Sequence, residues 1–260
     1  MAKYFTVEVK PFIKASHQAA DSAEYGADDV LFDWHAFQVP RGANKLVSVN
    51  WVMRGGDASV VTAGNMRDID VFFAKTINGT APPTIGNSNA TMSASPAVTN
   101  HIIGMTRIDN NDYGTLAPDL FYIGQTGSGG AASNIPQVIL EGENSSGDNV
   151  GFDTIYIAAA ISGAGISFGT TVLTRGTVSA DATSVPTDKG SDDDPDADLI
   201  FAVGDIIHSA TDDVLGELTS IAAFSTNNQA LGFSGGSAAV GDNEELFNVN
   251  PIKIILSFEK

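Results

Sequence analysis

The stretch Arg175–Phe233, RGTVSADATSVPTDKGSDDDPDADLIFAVGDIIHSATDDVLGELTSIAAFSTNNQALGF, decides how the chain is read. Short apolar runs (Thr183–Gly190, Phe201–His208, Leu215–Ile221, Gln229–Phe233) alternate with clusters of Gly, Asp, Ser and Asn, the pattern of brief strands joined by turns. The stretch stands shortly before a long apolar strand in which Ile252, Ile254, Leu256 and Phe258 share one face. A small β-module inserted ahead of a closing strand is the arrangement of a scaffold protein.

Upstream, period-two alternation starts at once, with Phe5, Val7 and Val9 on one face and Thr6, Glu8 and Lys10 on the other. VLFDWHAFQV (30–39) and Lys45–Arg54 form two further strands around Pro40–Asn44. They are expected to make a hairpin, with Val47, Val49, Trp51 and Met53 facing the core. Ile69–Thr76, His101–Ile108, Leu120–Gly124, Gln137–Glu141, Thr154–Ile161 and Ile166–Leu173 complete the expected strands. Helix is weighed only in Ala15–Tyr25 and Asp57–Met66. Asn78–Asn100, with Pro82, Pro83, Gly86 and Pro96, is too irregular for a hairpin and is expected as a surface excursion. The expected fold is all-β: a β-sandwich or jelly-roll body over 1–171, a small acidic β-barrel module over 172–247, and a closing strand of the body over 248–260 that lies in one domain with the first strand.

Composition narrows the function classes. The 260 residues include 31 acidic and 13 basic ones, a net charge of −18, which opposes a sequence-independent grip on nucleic acid or anionic lipid. With 0 Cys there are no disulfides, thiolate metal sites or cysteine nucleophiles. The N-terminal segment lacks a signal-peptide apolar core, and no run reaches membrane-span length, so synthesis in a cytoplasm and no membrane partner are expected.

Candidate chemistry is sparse. Asp194, Asp196 and Asp198 alternate within the acidic run as oxygen ligands of calcium do, but the Gly and Glu of an EF-hand loop are missing and Pro195 is internal. The plainer reading is a solvated loop. His17, His35, His101 and His208 are scattered without metal-ligand spacing, and no Ser lies in a G-x-S-x-G elbow. Gly163–Gly169 lacks the spacing and the following helix of a phosphate loop and reads as a turn. Asp68 with Asp70, or Glu141 with Glu143, is weighed as a glycosidic carboxylate pair without further support. Trp34, Phe37, Trp51, Phe72, Phe73, Phe121, Tyr122 and Tyr156 are weighed as a sugar-stacking platform against core packing, and their alternation with polar residues favours the core.

The order GTVS (176–179), TSVPTDKG (183–190), FAVGDIIH (201–208) and LGELTSI (215–221) resembles a small β-barrel element that recurs in virion proteins of tailed bacteriophages. The acidic insertion Ser191–Asp198 departs from that pattern. DIDVFFAKTINGTAP (68–82) and GFDTIYIAAAISG (151–163) are similar in style to structural proteins of marine cyanophages. The resemblance implies a non-enzymatic virion structural protein, a capsid decoration or vertex-associated protein bound to the major capsid protein or other virion proteins as a homo-oligomer. The alternative is a tail- or fibre-associated receptor- or glycan-binding protein. The expected contact surfaces are the N-terminal strand, the loop Asn78–Asn100 and the final strand.

Overall fold

The computed structural model describes residues 3–18, 25–54, 66–117, 121–129, 136, 138–143, 151–163, 166, 168, 172–188, 196–223 and 228–260. The fold is all-β, a two-sheet body with a closed barrel set ahead of the body's last strand, Ile252–Glu259.

One body sheet has the order β1 (Tyr4–Val9), β16 (Ile252–Glu259), β3 (Asn44–Arg54), β7 (Phe121–Gln125) and β6 (Tyr113–Ala117), with β8 (Ile139–Leu140) also paired to β3. The other has the order β2 (Val30–Pro40), β9 (Phe152–Ile161), β4 (Ile69–Lys75) and β5 (Ile102–Ile108). First and last strands lie side by side and antiparallel, from Tyr4↔Glu259 to Val9↔Ile254. Strict alternation along β16 buries Ile252, Ile254, Leu256 and Phe258 and turns Lys253, Ile255, Ser257 and Glu259 outward. Across the sandwich Phe32 of β2 stacks on Trp51 of β3 with centroids 6.2 Å apart, and Phe37 meets Phe258 at 6.4 Å. Side chains from two inner faces thus interdigitate into one core.

The expected hairpin between β2 and β3 is corrected here, because the two strands belong to opposite sheets. The connection crosses the sandwich at Gly42, whose φ of 93° suits glycine. The Asn44 side-chain Nδ2 donates to the carbonyls of Pro40 and Gly42 at 2.8 and 2.7 Å, and Asp153 Oδ2 accepts the Gly42 amide at 2.9 Å. Both strands carry an apolar face, and crossing sets those faces against each other. Val47 is also corrected, being exposed. The β3–β16 register shifts between Ser257 and Phe258, so an extra residue at Val47 inverts the alternation and Leu46 enters the core instead.

Segment 78–100 runs over the surface as expected, mostly exposed and anchored at a few points. Ile85 and Val98 are buried with Val30 and Ala158 on the outer face of the second sheet, and Trp34 Nε1 donates to the Pro83 carbonyl at 2.7 Å. Small residues Ala158–Ala160 in β9 leave room for both the core and this cover. In the region weighed for helix, Ala15–His17 forms one 3₁₀ turn, and 55–65 lie outside the described residues.

The barrel closes in the order β10 (Val172–Thr174), β11 (Ser184–Asp188), β14 (Asn228–Phe233), β13 (Val214–Ile221), β12 (Ile206–Ser209) and β15 (Glu245–Asn248). It has its own core, centred on Val185, Ile207, Leu215, Leu218, Leu231 and Leu246. A four-residue helix, α1 (Ala197–Ile200), packs Ala197 and Ile200 onto that core. GTVS is not a strand, since Gly176 turns at φ 75° and Val178 makes one isolated bridge to Val240. Of the expected strand Ile166–Leu173, the paired part is β10, while Ile166 bridges Tyr25 in the body. β6 and β15 were not anticipated. Among the described residues no helix is long and apolar enough to cross a membrane.

Candidate functional site

Polar side chains from distant segments converge where the barrel meets the body. The turn Ala202–Asp205 leads into β12. Gly204 there adopts φ 94°, and the Asp205 carboxylate accepts the Ala202 amide at 2.8 Å. From that turn Asp205 reaches the body sheet and receives both arms of the Arg54 guanidinium, Nη1 at 2.7 Å to Oδ2 and Nη2 to Oδ1. Such a fork fixes orientation as well as distance. Asp205 is mostly buried, its side chain 10% exposed, so this pair is an inter-module clamp rather than a loose surface bridge.

A second set lies on the other side of the chain's crossing. His208 of β12 is fully buried between the rings of Phe12 and Phe247, with centroids at 5.7 and 6.0 Å. Its Nδ1 lies 3.3 Å from Asp212 Oδ1, off the line of a good hydrogen bond, and its Nε2 faces Gln18 Nε2 at 3.4 Å. Gln18 in turn donates to the carbonyls of Ile13 and Asn248 at 2.8 and 2.9 Å, and Asp212 Oδ1 accepts the Ala15 amide at 2.7 Å. These bonds join residues 13–18 to the barrel. Burial between the two rings favours the neutral form of His208.

Between these sets opens a cleft of about 380 Å³. Val52, Ile206 and Pro251 supply apolar wall, with Lys10, Lys253 and Asn248 among its polar lining. Lys253 stands on the outward face of β16 beside Val52, its register partner on β3. A shallower hollow at the β6–β7 end, beside Asp112 and Ser128, is shaped by a turn in which Asp112 accepts the amides of Asp109, Gly127 and Gly129.

Of the residues weighed for calcium, Asp194 lies outside the described residues. Asp196 stands at the start of α1, and Asp198 is exposed in its first turn. Among the described residues no group of three or more His, Asp or Glu is placed to hold a metal ion. The four histidines are held separately: His17 Nδ1 lies 3.1 Å from Ser88 Oγ, and His101 Nδ1 lies 2.9 Å from the Lys75 carbonyl. Asp68 and Asp70 both face Arg107, which donates to Asp70 at 2.7 and 2.8 Å. Its guanidinium is thereby held protonated above its ordinary range. Glu143 accepts the amides of Asn78 and Gly79, which keep its carboxylate below the usual range. Trp51, Phe37 and Phe73 are core, Trp34, Phe72 and Tyr156 are half-buried, and the side chains of Phe121 and Tyr122 lie outside the described residues. Except for Ile166 and Phe168, the part of Gly163–Gly169 beyond Gly163 also lies outside them.

The chain matches no known family model, and no curated protein is similar to it.

Burial lowers the pKa of His208 and of His17 and His35. Asp212 opposes the shift at His208 and His17, and Lys14 adds to it at His17. An unfolded chain thus takes up protons first as pH falls below about 6.5. Stability is fully present above that value and is lost as pH falls from it toward the lower folded-state pKa values. Denaturant melts between about pH 7.5 and 5, which spans the imidazole range, should show this decline, and His208→Gln should flatten it. A stability that rises through the same window would contradict the assignment.

Proposed function

We propose that this chain is a non-enzymatic structural protein of a tailed-bacteriophage virion, a decoration or vertex-associated protein. It is seated on the major capsid protein or another virion protein, as a homo-oligomer, through protein–protein contacts. The observation that carries the reading is the open edge of β1. Lys3 and Lys260 exchange backbone hydrogen bonds at 3.2 and 2.9 Å, so by antiparallel alternation Phe5, Val7 and Val9 bond β16 while Tyr4, Thr6 and Glu8 point their N–H and C=O groups outward. Those three residues are exposed, Tyr4 at 71%.

Proteins ordinarily blunt such edges. Among the described residues the other body edges are blunted: the β2–β9 register is broken twice, the β4–β5 and β6–β7 registers each once, and Val138 lies over Gly104 of β5. The barrel has no edge. β1 keeps an unbroken register, which suits it to receive a strand from a partner. Of the other expected contact surfaces, β16 is interior to its sheet, whereas segment 78–100 stays largely exposed around its anchors Ile85 and Val98 and stands as a second contact surface beside β1.

The test is electron cryomicroscopy of purified particles with quantified copy number. Density at regular shell sites supports the reading, and absence from intact particles overturns it. Thr6→Pro supplies a sharper arm, because the Thr6 amide faces outward and its loss removes no bond to β16. The variant should melt near the parent temperature and fail to join particles. Undiminished incorporation would remove β1 from the interface.

A further inference from the structure

The free edge of β1 is its own chemical complement. Tyr4, Thr6 and Glu8 turn their N–H and C=O groups away from β16, and all three residues are exposed. The free row stops on either side of them: Lys3 bonds Lys260 in both directions, Val9 is in register with Ile254, and the Lys10 carbonyl accepts from Asn250 Nδ2 at 3.0 Å. On the inner face of the same strand Phe5 and Val7 pack on the core yet stay half-buried, with no strand beyond them among the described residues.

An antiparallel neighbour must set outward-bonding residues directly opposite one another. For a second copy of β1, the register centred on Thr6 does this for all three. Thr6 faces Thr6 of the second copy, while Tyr4 and Glu8 face each other reciprocally. Sliding the copy by two residues sets Glu8 against residue 2 in one direction, and Tyr4 against Lys10, with its engaged carbonyl, in the other. A slide of four residues in that second direction sets Glu8 against Glu8, like charges directly opposite.

We propose that the strand received at β1 is β1 of a second copy, related by a two-fold axis through Thr6, so that two body sheets join into one. The side chains suit that register. Thr6 meets Thr6, and on the inner face Phe5 meets Val7, a threonine pair and an aromatic–β-branched pair of the kind that stabilises antiparallel ladders. Tyr4 sets a phenol against the Glu8 carboxylate. The proposal rests on the reading of β1 as the assembly edge and names its occupant.

Sedimentation equilibrium of the full chain should show a monomer–dimer equilibrium, which Thr6→Pro should weaken by about a hundredfold or more. Cross-linking reads the register. The chain has 0 Cys, so Thr6→Cys introduces a lone thiol. Across a hydrogen-bonded antiparallel pair the Cα atoms stand about 5.5 Å apart, within disulfide reach. Copper–phenanthroline oxidation should couple two Thr6→Cys chains and leave Tyr4→Cys and Glu8→Cys chains uncoupled, because neither of those positions faces itself. A chain that stays monomeric up to about millimolar concentration, or coupling through Tyr4→Cys or Glu8→Cys in place of Thr6→Cys, would overturn the pairing. A monomer whose joining of particles is still abolished by Thr6→Pro would also overturn it, giving β1 to a different virion protein. A dimer coupled through Thr6→Cys but absent from particles would uphold the pairing and overturn the virion reading.

Discussion

Trp51→Ala is expected to destabilise the body by about 3–5 kcal/mol, the range for truncating a buried Trp or Phe. Trp51 is fully buried in β3, between Ile254 on one side and Gly124 on the other, and it stacks on Phe32 across the sandwich. Removing it leaves a cavity that neighbours anchored in two sheets cannot fill. Its indole Nε1 has no hydrogen-bond partner, however, so the residue contributes volume rather than polarity. Trp51→Phe keeps most of that volume and deletes the unpaired donor, and should cost only about 1 kcal/mol. Urea denaturation of both variants checks the pair of values. An alanine variant within about 1 kcal/mol of the parent would show that this core is not packed around Trp51.

Arg54→Met should cost about 2–4 kcal/mol, because it strips the cation from a carboxylate that is largely buried at the junction. Arg54→Lys should restore only part of the loss, since a single ammonium cannot reproduce two parallel bonds to Asp205. Arg54→Met combined with Asp205→Asn should recover stability, because the asparagine oxygen still accepts the Ala202 amide and no charge is left unpaired. The body and barrel have separate apolar cores, so loosening the clamp should also separate thermal unfolding into two transitions. A double variant no more stable than Arg54→Met would mean that the loss arises from packing of the arginine stem.

Legibility in the sequence followed the range over which the physics acts. The face assignments of β1 and β16 were readable because period-two alternation is a local consequence of the pleat. The pairing of β2 was not, since an apolar face is equally well buried in a hairpin or across a sandwich. β15 escaped notice because four residues, Glu245–Asn248, carry too little periodicity, and β6 because Gly114 interrupts its pattern. At the junction, Asp205 lies inside the run Phe201–His208 that reads as a short strand. Its partner Arg54 lies 151 positions away, and nothing local to either residue announces the other.

By itself the sequence determined the all-β class, the strand-rich module ahead of a closing apolar strand, and a net charge of −18. Composition and local alternation suffice for these because they depend on each residue's own chemistry and that of its near neighbours. Only the tertiary structure decided that β2 and β3 face each other and that segment 78–100 covers a sheet. It alone brought Gln18 to His208 and Arg54 to Asp205. Each of these depends on which distant strands meet, and chain closure over such separations is settled by global burial and hydrogen-bond satisfaction, which no short window of sequence contains.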